Sequence, residues 1–353
     1  MRNHPTKGTR FAHPSAGTPK LRERYLLAAT AVPFLVAALM GGMDQRSGDV
    51  VIVFGDPAIV ESSGLAVVDG LFVTTNDSGD SGRVFVVDPV SGETVGVTHW
   101  SDDPIDVEAL APAGGGDVWV GDIGDNRAAR ESISAVRVPV GRGDTDVDPT
   151  SYELRFPGGA RDAESLLADP ATGRLYVVSK GVFGGTVYAA PRRLSSSQPN
   201  RLTEVGPVLG IATDAAFFPD GRHIIVRDYS SAAVYSFPDL FEVGRFGLPR
   251  QQQGEGIAVA ADDTIYASSE GLHAPVLRIT LPVAVRRAME PAPSPTSTPT
   301  TTATPTATPP PGSREGRELP EQPPADRSPW GWALGGLVGL AILVVLVRAL
   351  RPR

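Results

Sequence analysis

Short apolar stretches alternate with turns through the middle of the chain, and they recur in one order. Five similar segments, each a polar residue followed by small or branched apolar residues, begin at Ser63, Glu108, Glu164, Asp214 and Glu255. After a turn that contains glycine or aspartate, a second apolar stretch follows each segment, and then a third. In the first four repeats a fourth, more polar stretch comes next. Short apolar runs bounded by such turns are typical of β-strands.

A recurring unit of four strands is the signature of a β-propeller blade. The repeats begin 41 to 56 residues apart, and they predict an all-β propeller over residues 49–285, with five blades, or six if one repeat is too degenerate to recognise. The last repeat ends near Pro282 without a fourth strand, and the apolar run from Val50 to Gly55 has no partner of its own. We expect these two to pair, because pairing closes the ring and removes open sheet edges. A β-sandwich with accidental repeats is the alternative fold.

The two ends of the chain predict membrane attachment. Residues 25–43 form an apolar run behind a basic stretch, typical of a signal peptide or signal anchor, and the uncharged residues 330–347 are long enough to span a bilayer as a helix. Residues 290–329, rich in proline and threonine, predict a disordered stalk. The tails, residues 1–24 and 348–353, are basic and should stay in the cytoplasm. We therefore expect the propeller on the extracytoplasmic side of the cell membrane, facing an extracellular ligand or a cell-wall component.

Composition excludes several kinds of chemistry. The formal net charge of −8 argues against a nucleic-acid partner, and the absence of cysteine excludes disulfides and thiolate catalysis. The sequence contains no serine-hydrolase motif, so a conventional serine hydrolase is not expected. It also has no phosphate-binding glycine loop, and no organic cofactor is expected. Frequent alanine, arginine, glycine and proline indicate an actinobacterial source.

Acidic residues recur at the start of the first strand of the repeats. In a propeller these first strands line the central channel, so the sequence predicts a ring of carboxylates at one mouth of the channel. The second strands run antiparallel to the first and end at the same mouth. Polar residues at these ends predict a ligand face made of Asn76, Asp77, Asp122, Asp125, Asn126, Lys180, Arg227 and Asp228.

Carboxylates that lie close together in a half-buried channel cannot all stay ionised without compensation. A hard cation such as Ca²⁺, which takes six to eight oxygen ligands, is one solution. Its ligands would be Glu108, Glu164, Asp214 and Glu255. Ion pairs are a second solution, and the cations available for them are Arg127, Arg161, Lys180 and Arg227. In two further alternatives, some carboxyl groups stay protonated and act as general acids, or the acids cap the blades by accepting backbone N–H bonds.

Two stretches, "DPATGRLYVVS" and "FPDGRHIIVRD", resemble the YVTN, NHL and SMP-30-like propellers of bacteria. The "E-G-[IL]" at the opening of blades is similar to the phytase-like esterase propellers. The resemblance covers about residues 50–285 and implies the same fold. Since the families it resembles often hold a metal in the channel, it favours Ca²⁺ among the alternatives above.

Two functions fit these features. The first is a ligand-binding or scaffold module that uses its acidic face and binds Ca²⁺. The alternative is a metal-dependent hydrolase of the phytase-like or lactonase-like propeller type, in which Asp122 or His273 would act as the base. The absence of a conventional nucleophile–base motif favours the binding module, because such a module needs only a shaped face.

Overall fold

The computed structural model describes residues 48–77 and 79–290, which form five twisted β-sheets around a central channel. Blade 1 contains β2 (Ser62–Val68), β3 (Leu71–Asn76), β4 (Arg83–Val87) and β5 (Thr94–Trp100). Blade 2 contains β6 (Val107–Gly114), β7 (Asp117–Asp122), β8 (Ile133–Pro139) and β10 (Ser151–Arg155). Blade 3 contains β11 (Ala163–Ala168), β12 (Leu175–Ser179), β13 (Gly185–Ala189) and β15 (Thr203–Val208).

The two remaining sheets complete the ring. Blade 4 contains β16 (Asp214–Phe217), β17 (His223–Arg227), β18 (Ser231–Ser236) and β19 (Glu242–Gly247). Blade 5 contains β20 (Gly254–Val259), β21 (Ile265–Ser269), β22 (Pro275–Ile279) and β1 (Asp49–Val53). The prediction of a five-bladed propeller closed by the N-terminal strand is therefore confirmed. A short helix, α1 (Val283–Met289), packs against β19 through Val285.

Both faces of each blade are buried against its neighbours, which explains why the strands read as nearly continuous apolar runs. Five clusters of buried apolar side chains fill the spaces between adjacent blades. The strand β12 illustrates the pattern, because all five of its residues are buried. The first strands of the blades contact one another in a closed ring. They are β2, β6, β11, β16 and β20, and we call them the inner strands.

Two short strands extend the outer edges of blades 1 and 2. The strand β9 (Thr145–Val147) lies between β8 and β10 in sequence but pairs in parallel with β5 of blade 1. Likewise β14 (Asn200–Arg201), which follows β13 of blade 3, pairs in parallel with β10 of blade 2. Each of these blades thus has its outer edge covered by a segment of the next blade, which protects an edge that could otherwise pair with another chain.

The described residues include no helix that is long and apolar enough to cross a membrane. The two segments predicted to insert in a membrane, residues 25–43 and 330–347, lie outside the described residues. The same holds for the predicted stalk beyond Glu290 and for both basic tails.

The closing strand β1 supports a direct test of ring closure. Ile52 is buried between blades 5 and 1, whereas Val50 on the same strand is 59% exposed. We expect Ile52→Asp to lower the free energy of unfolding by at least about 3 kcal/mol, because it places an unpaired charge in the core. Val50→Asp should change it by about 0.5 kcal/mol. Urea unfolding of the two variants measures the difference, and equal losses would contradict the role given to β1.

Candidate functional site

The inner strands bring their acidic residues to one end of the channel, as the sequence predicts. In blade 2 the start of β6 pairs with the end of β7, Val107 with Asp122, and in blade 4 Asp214 pairs with Arg227. Four acids on the inner strands are 4% exposed or less; they are Glu108, Glu164, Asp214 and Glu255. We call this end of the channel, together with the loops beside it, the acidic mouth.

Three of these four acids lie at irregularities in the strand pairing. The register between each inner strand and its second strand shifts at Glu108, at Glu164 and at Glu255. Ser63 occupies the same place in blade 1. A β-bulge changes the direction of a side chain at the point where it occurs. The bulges therefore account for the way in which these blades place an acid at the mouth within an otherwise apolar strand.

Three carboxylates lie close enough together to coordinate one cation. Asp77, Asp106 and Glu108 each offer a carboxylate oxygen, and the three oxygens lie within 4.8 Å of one another. Asp77 follows β3 of blade 1, whereas Asp106 precedes β6 of blade 2 and Glu108 lies within it. We call this group the carboxylate triad. Of the four metal ligands predicted from the sequence, it includes only Glu108.

The environment of the carboxylate triad opposes negative charge. Burial raises the pKa of Glu108 to about 10, and repulsion from Glu164 and Asp77 acts in the same direction. The Ser63 hydroxyl donates a 2.9 Å hydrogen bond to Glu108 Oε2, which offsets only part of this. Burial and the nearby Asp77 also raise the pKa of Asp106. Such a group is stable either with a bound proton or with a bound cation.

The polar stretch at the end of β7 holds the loop that carries Asp106. Asp122 Oδ1 accepts the backbone N–H of Asp106 at 2.9 Å, and it also lies 2.9 Å from Arg130 Nη1. Asp125 accepts the backbone N–H groups of Ala129 at 2.9 Å and Arg130 at 2.8 Å. Asp122 therefore holds the loop from which one triad carboxylate projects, and Asp125 holds its own loop. Their predicted place on a ligand face stays a prediction.

Glu164 is neutralised by the protein itself. Lys180 Nζ lies 2.7 Å from Glu164 Oε1. Burial raises the pKa of Glu164 to about 8, although Lys180 lowers it. Burial alone would lower the pKa of Lys180, but the Glu164 carboxylate more than compensates and the net shift is upward. Lys180 therefore stays charged and is not a nucleophile at neutral pH.

Asp214 and Arg227 join blade 4 to blade 5. Asp214 accepts its own blade's Ala215 N–H at 2.8 Å and the Ile257 N–H of blade 5 at 2.7 Å. Arg227 is completely buried and donates to the carbonyl oxygens of Gly256 at 3.0 Å and Ser268 at 3.3 Å. Burial raises the pKa of Asp214 and lowers that of Arg227 to about 10. Their contacts are those of a structural link.

Glu255 is buried, but only one of its two carboxylate oxygens is hydrogen-bonded within the described residues. Its Oε1 accepts a 3.3 Å hydrogen bond from Gln253 Nε2, but Oε2 is buried and has no hydrogen-bond partner among the described residues. Burial raises the pKa of Glu255 to about 7, Lys180 lowers it, and Glu270 raises it further.

Three of the other predicted site residues contact groups within the propeller, and a fourth is exposed. Asn76 Oδ1 accepts the N–H groups of Val60 at 3.0 Å and Glu61 at 3.2 Å. Asp228 accepts N–H groups within its own turn, His273 Nδ1 lies 2.9 Å from the carbonyl oxygen of Phe54, and Asn126 is exposed. The catalytic roles predicted for Asp122 and His273 stay predictions.

No protein-family model matches the chain, and no curated protein matches it. The structure is similar to that of a Myxococcus xanthus glutaminyl cyclase, with a TM-score of 0.43 and 14% identity over 66% of this chain and 95% of that chain. It is also similar to a structure described as glucose dehydrogenase, with a TM-score of 0.41 and 9% identity over 67% of this chain and 100% of that chain. These values carry no information on activity. The narrower resemblance to YVTN, NHL and SMP-30-like propellers is not confirmed.

The buried acids predict a stability that falls as the pH rises. The pKa of Glu255 in the folded chain, about 7, exceeds the ordinary value of 4.5. The folded state therefore binds more protons than the unfolded state between these values, and the stability present below 4.5 is lost as the pH rises through 7. Without divalent cations, we expect thermal unfolding to show this loss. Glu255→Gln should flatten the profile, whereas exposed Glu204→Gln should not; an unchanged profile in Glu255→Gln would contradict the assignment.

Gly124 allows a second test, of the packing around the carboxylate triad. A Cβ at Gly124 would overlap the Asp106 carboxylate and lie 2.7 Å from Glu108 Oε1. We expect Gly124→Ala to move these carboxylates and lower the melting temperature. Gly141→Ala is the matched control, since a Cβ there meets no atom within 4 Å. Differential scanning calorimetry compares them, and a Gly124→Ala variant as stable as the control would rule out the close approach.

Proposed function

We propose that this chain is an extracytoplasmic binding module whose acidic mouth holds a divalent cation, with Ca²⁺ as the first choice. The observation that carries the proposal is the convergence of Asp77, Asp106 and Glu108 within 4.8 Å. Ca²⁺ accepts carboxylate, carbonyl and water oxygens in flexible numbers, so three carboxylates would provide about half of its ligands. Oxygen atoms of water or of an external ligand would provide the rest.

The neighbouring contacts favour a cation at the carboxylate triad rather than elsewhere in the mouth. Glu164 has the ammonium group of Lys180, and both oxygens of Asp214 accept backbone N–H groups. The partner of Glu108 Oε2 is the neutral hydroxyl of Ser63, which offsets its negative charge only in part. A bound cation would make the ionised form of Glu108 stable in a place where burial disfavours it.

The described part of the chain ends at Glu290, far from the acidic mouth. Met289 and Glu290 line a cavity together with the β16–β17 and β20–β21 turns. These turns lie at the opposite end of the inner strands from the acidic residues. The described part of the chain therefore ends at the opposite end of the propeller from the acidic mouth. The mouth is proposed to bind an extracellular ligand or a cell-wall component.

Calorimetric titration of the chelator-treated chain with CaCl₂ tests the proposal. We expect binding at one site, with a gain of about 2.7 kcal/mol in stability when free Ca²⁺ is about 100 times the dissociation constant. Binding should also release protons, because Glu108 must lose its proton to coordinate; titrations in buffers of different ionisation enthalpy measure this release. Glu108→Gln and Asp106→Asn should weaken binding by at least about tenfold.

Asp103→Asn is the matched control for these variants. Asp103 is exposed on the same loop as Asp106 but is not a member of the carboxylate triad. It should bind Ca²⁺ like the unmodified chain. If Ca²⁺ fails to bind, or if Asp103→Asn weakens binding as much as Asp106→Asn, the proposed cation site is wrong.

A further inference from the structure

Exposed apolar side chains cluster beside the acidic mouth, on the blade 3 and blade 4 side. Val182 and Phe183 lie in the β12–β13 connection, Ile211 precedes β16, and Tyr229 lies in the β17–β18 connection. All four are exposed, and the side chain of Phe183 is completely so. We call these four residues the apolar rim.

The apolar rim is continuous with the acidic mouth. The Ile211 N–H donates a 2.8 Å hydrogen bond to the carbonyl oxygen of Gly181, which brings the loop before β16 against the β12–β13 connection. Lys180 Nζ lies 5.5 Å from the centre of the Tyr229 ring and 2.7 Å from Glu164. A single lysine therefore touches both an acid of the mouth and an aromatic ring of the rim.

The backbone at Ile211 is strained. Its φ angle is +55°, in the left-handed region that a β-branched residue rarely adopts. The side chain is nevertheless 38% exposed, so core packing does not fully account for the strain. Strain of this kind often occurs where a side chain is held for a binding partner.

Next to the apolar rim, Glu255 carries a buried oxygen that no described residue satisfies. Its side chain is 4% exposed, and Oε2 has no hydrogen-bond partner within the described part of the chain. Lys180 and Glu270 both act electrostatically on Glu255, which places it among the charged groups of the mouth. Lys180 makes its short contact with Glu164 instead. A donor from outside the chain would satisfy Glu255 Oε2.

We propose that the acidic mouth and the apolar rim together dock an extended protein segment in which an arginine or lysine stands next to an aromatic or branched apolar residue. The basic group donates to Glu255 Oε2, and its apolar neighbour packs on Phe183 and Ile211. Charge complementarity selects the basic residue, while aromatic contact supplies affinity. The surplus of acids at the mouth disfavours an anionic lipid surface.

This inference rests on the binding role proposed for the mouth, but it does not require the cation. The docking of a protein segment and the cation site can be tested separately. A random heptapeptide phage library is panned against the purified full chain, once with chelator and once with CaCl₂. Enrichment of peptides that place arginine or lysine beside an aromatic or branched residue is expected in both conditions. Ca²⁺ binding without such enrichment would overturn the inference and leave the cation site standing. Enrichment of such peptides without Ca²⁺ binding would support the docking of a protein segment and contradict the cation site.

Variants then locate the docking surface. For an enriched peptide, fluorescence anisotropy should show dissociation constants raised at least about tenfold by Phe183→Ser and by Glu255→Gln. Phe241→Ser is the matched control, because Phe241 is also exposed but lies in the β18–β19 connection at the other end of the strands. Equal losses in Phe183→Ser and Phe241→Ser would overturn the proposal.

The variant Ile211→Gly distinguishes a binding role of Ile211 from a purely structural role, because it should change stability and peptide binding in opposite directions. The substitution relieves the strained backbone and removes a contact side chain, so we expect a higher melting temperature together with weaker peptide binding. A variant that is stabilised but binds the peptide unchanged would remove Ile211 from the surface. A lipid contact would give a different result. The chain would then bind phosphatidylcholine vesicles, Phe183→Ser would abolish that binding, and the library would yield no enriched peptide. This outcome would overturn the proposal.

Discussion

Ring closure is the constraint on which the rest of this structure depends. It brings the first residues of five inner strands around one axis, and in four blades an acid occupies or adjoins this position. Buried like charges are unfavourable unless something compensates them. Three of these blades do this differently: Lys180 pairs with Glu164, backbone N–H groups bind Asp214, and a hydroxyl group binds Glu108. The unequal compensation is what makes one side of the mouth suited to a cation.

Much of the fold could be predicted from the sequence because repetition and burial on both faces leave a strong pattern. The five repeats, the closing strand and the acids at one mouth follow from strand order and direction alone. The carboxylate triad does not. It needs the bulge at Glu108 and the position of the loop before β6, and neither has a signature in one chain. The strands β9 and β14 were not predicted either, since they pair through backbone groups at an outer edge and need no apolar pattern.

The acidic residues of the polar stretch after β7 stabilise the loops around them. Asp122 and Asp125 use their oxygens on backbone N–H groups and on Arg130. Loops at the end of a buried strand leave backbone groups without partners, and short acidic side chains supply acceptors for them. Asp106, which lies just before β6, is the residue that the contact with Asp122 positions.

The closing sheet has a mechanical consequence. Asp49 at the start of β1 pairs with Arg278, one residue before the end of β22, so the two ends of the propeller leave neighbouring strands at the same end of one sheet. A force that pulls these ends apart would load the hydrogen bonds between β1 and β22 one after another, from Asp49 toward Val53, and not all at once. After α1 detaches, the ring would therefore open by unzipping, which needs far less force than shearing the same strands.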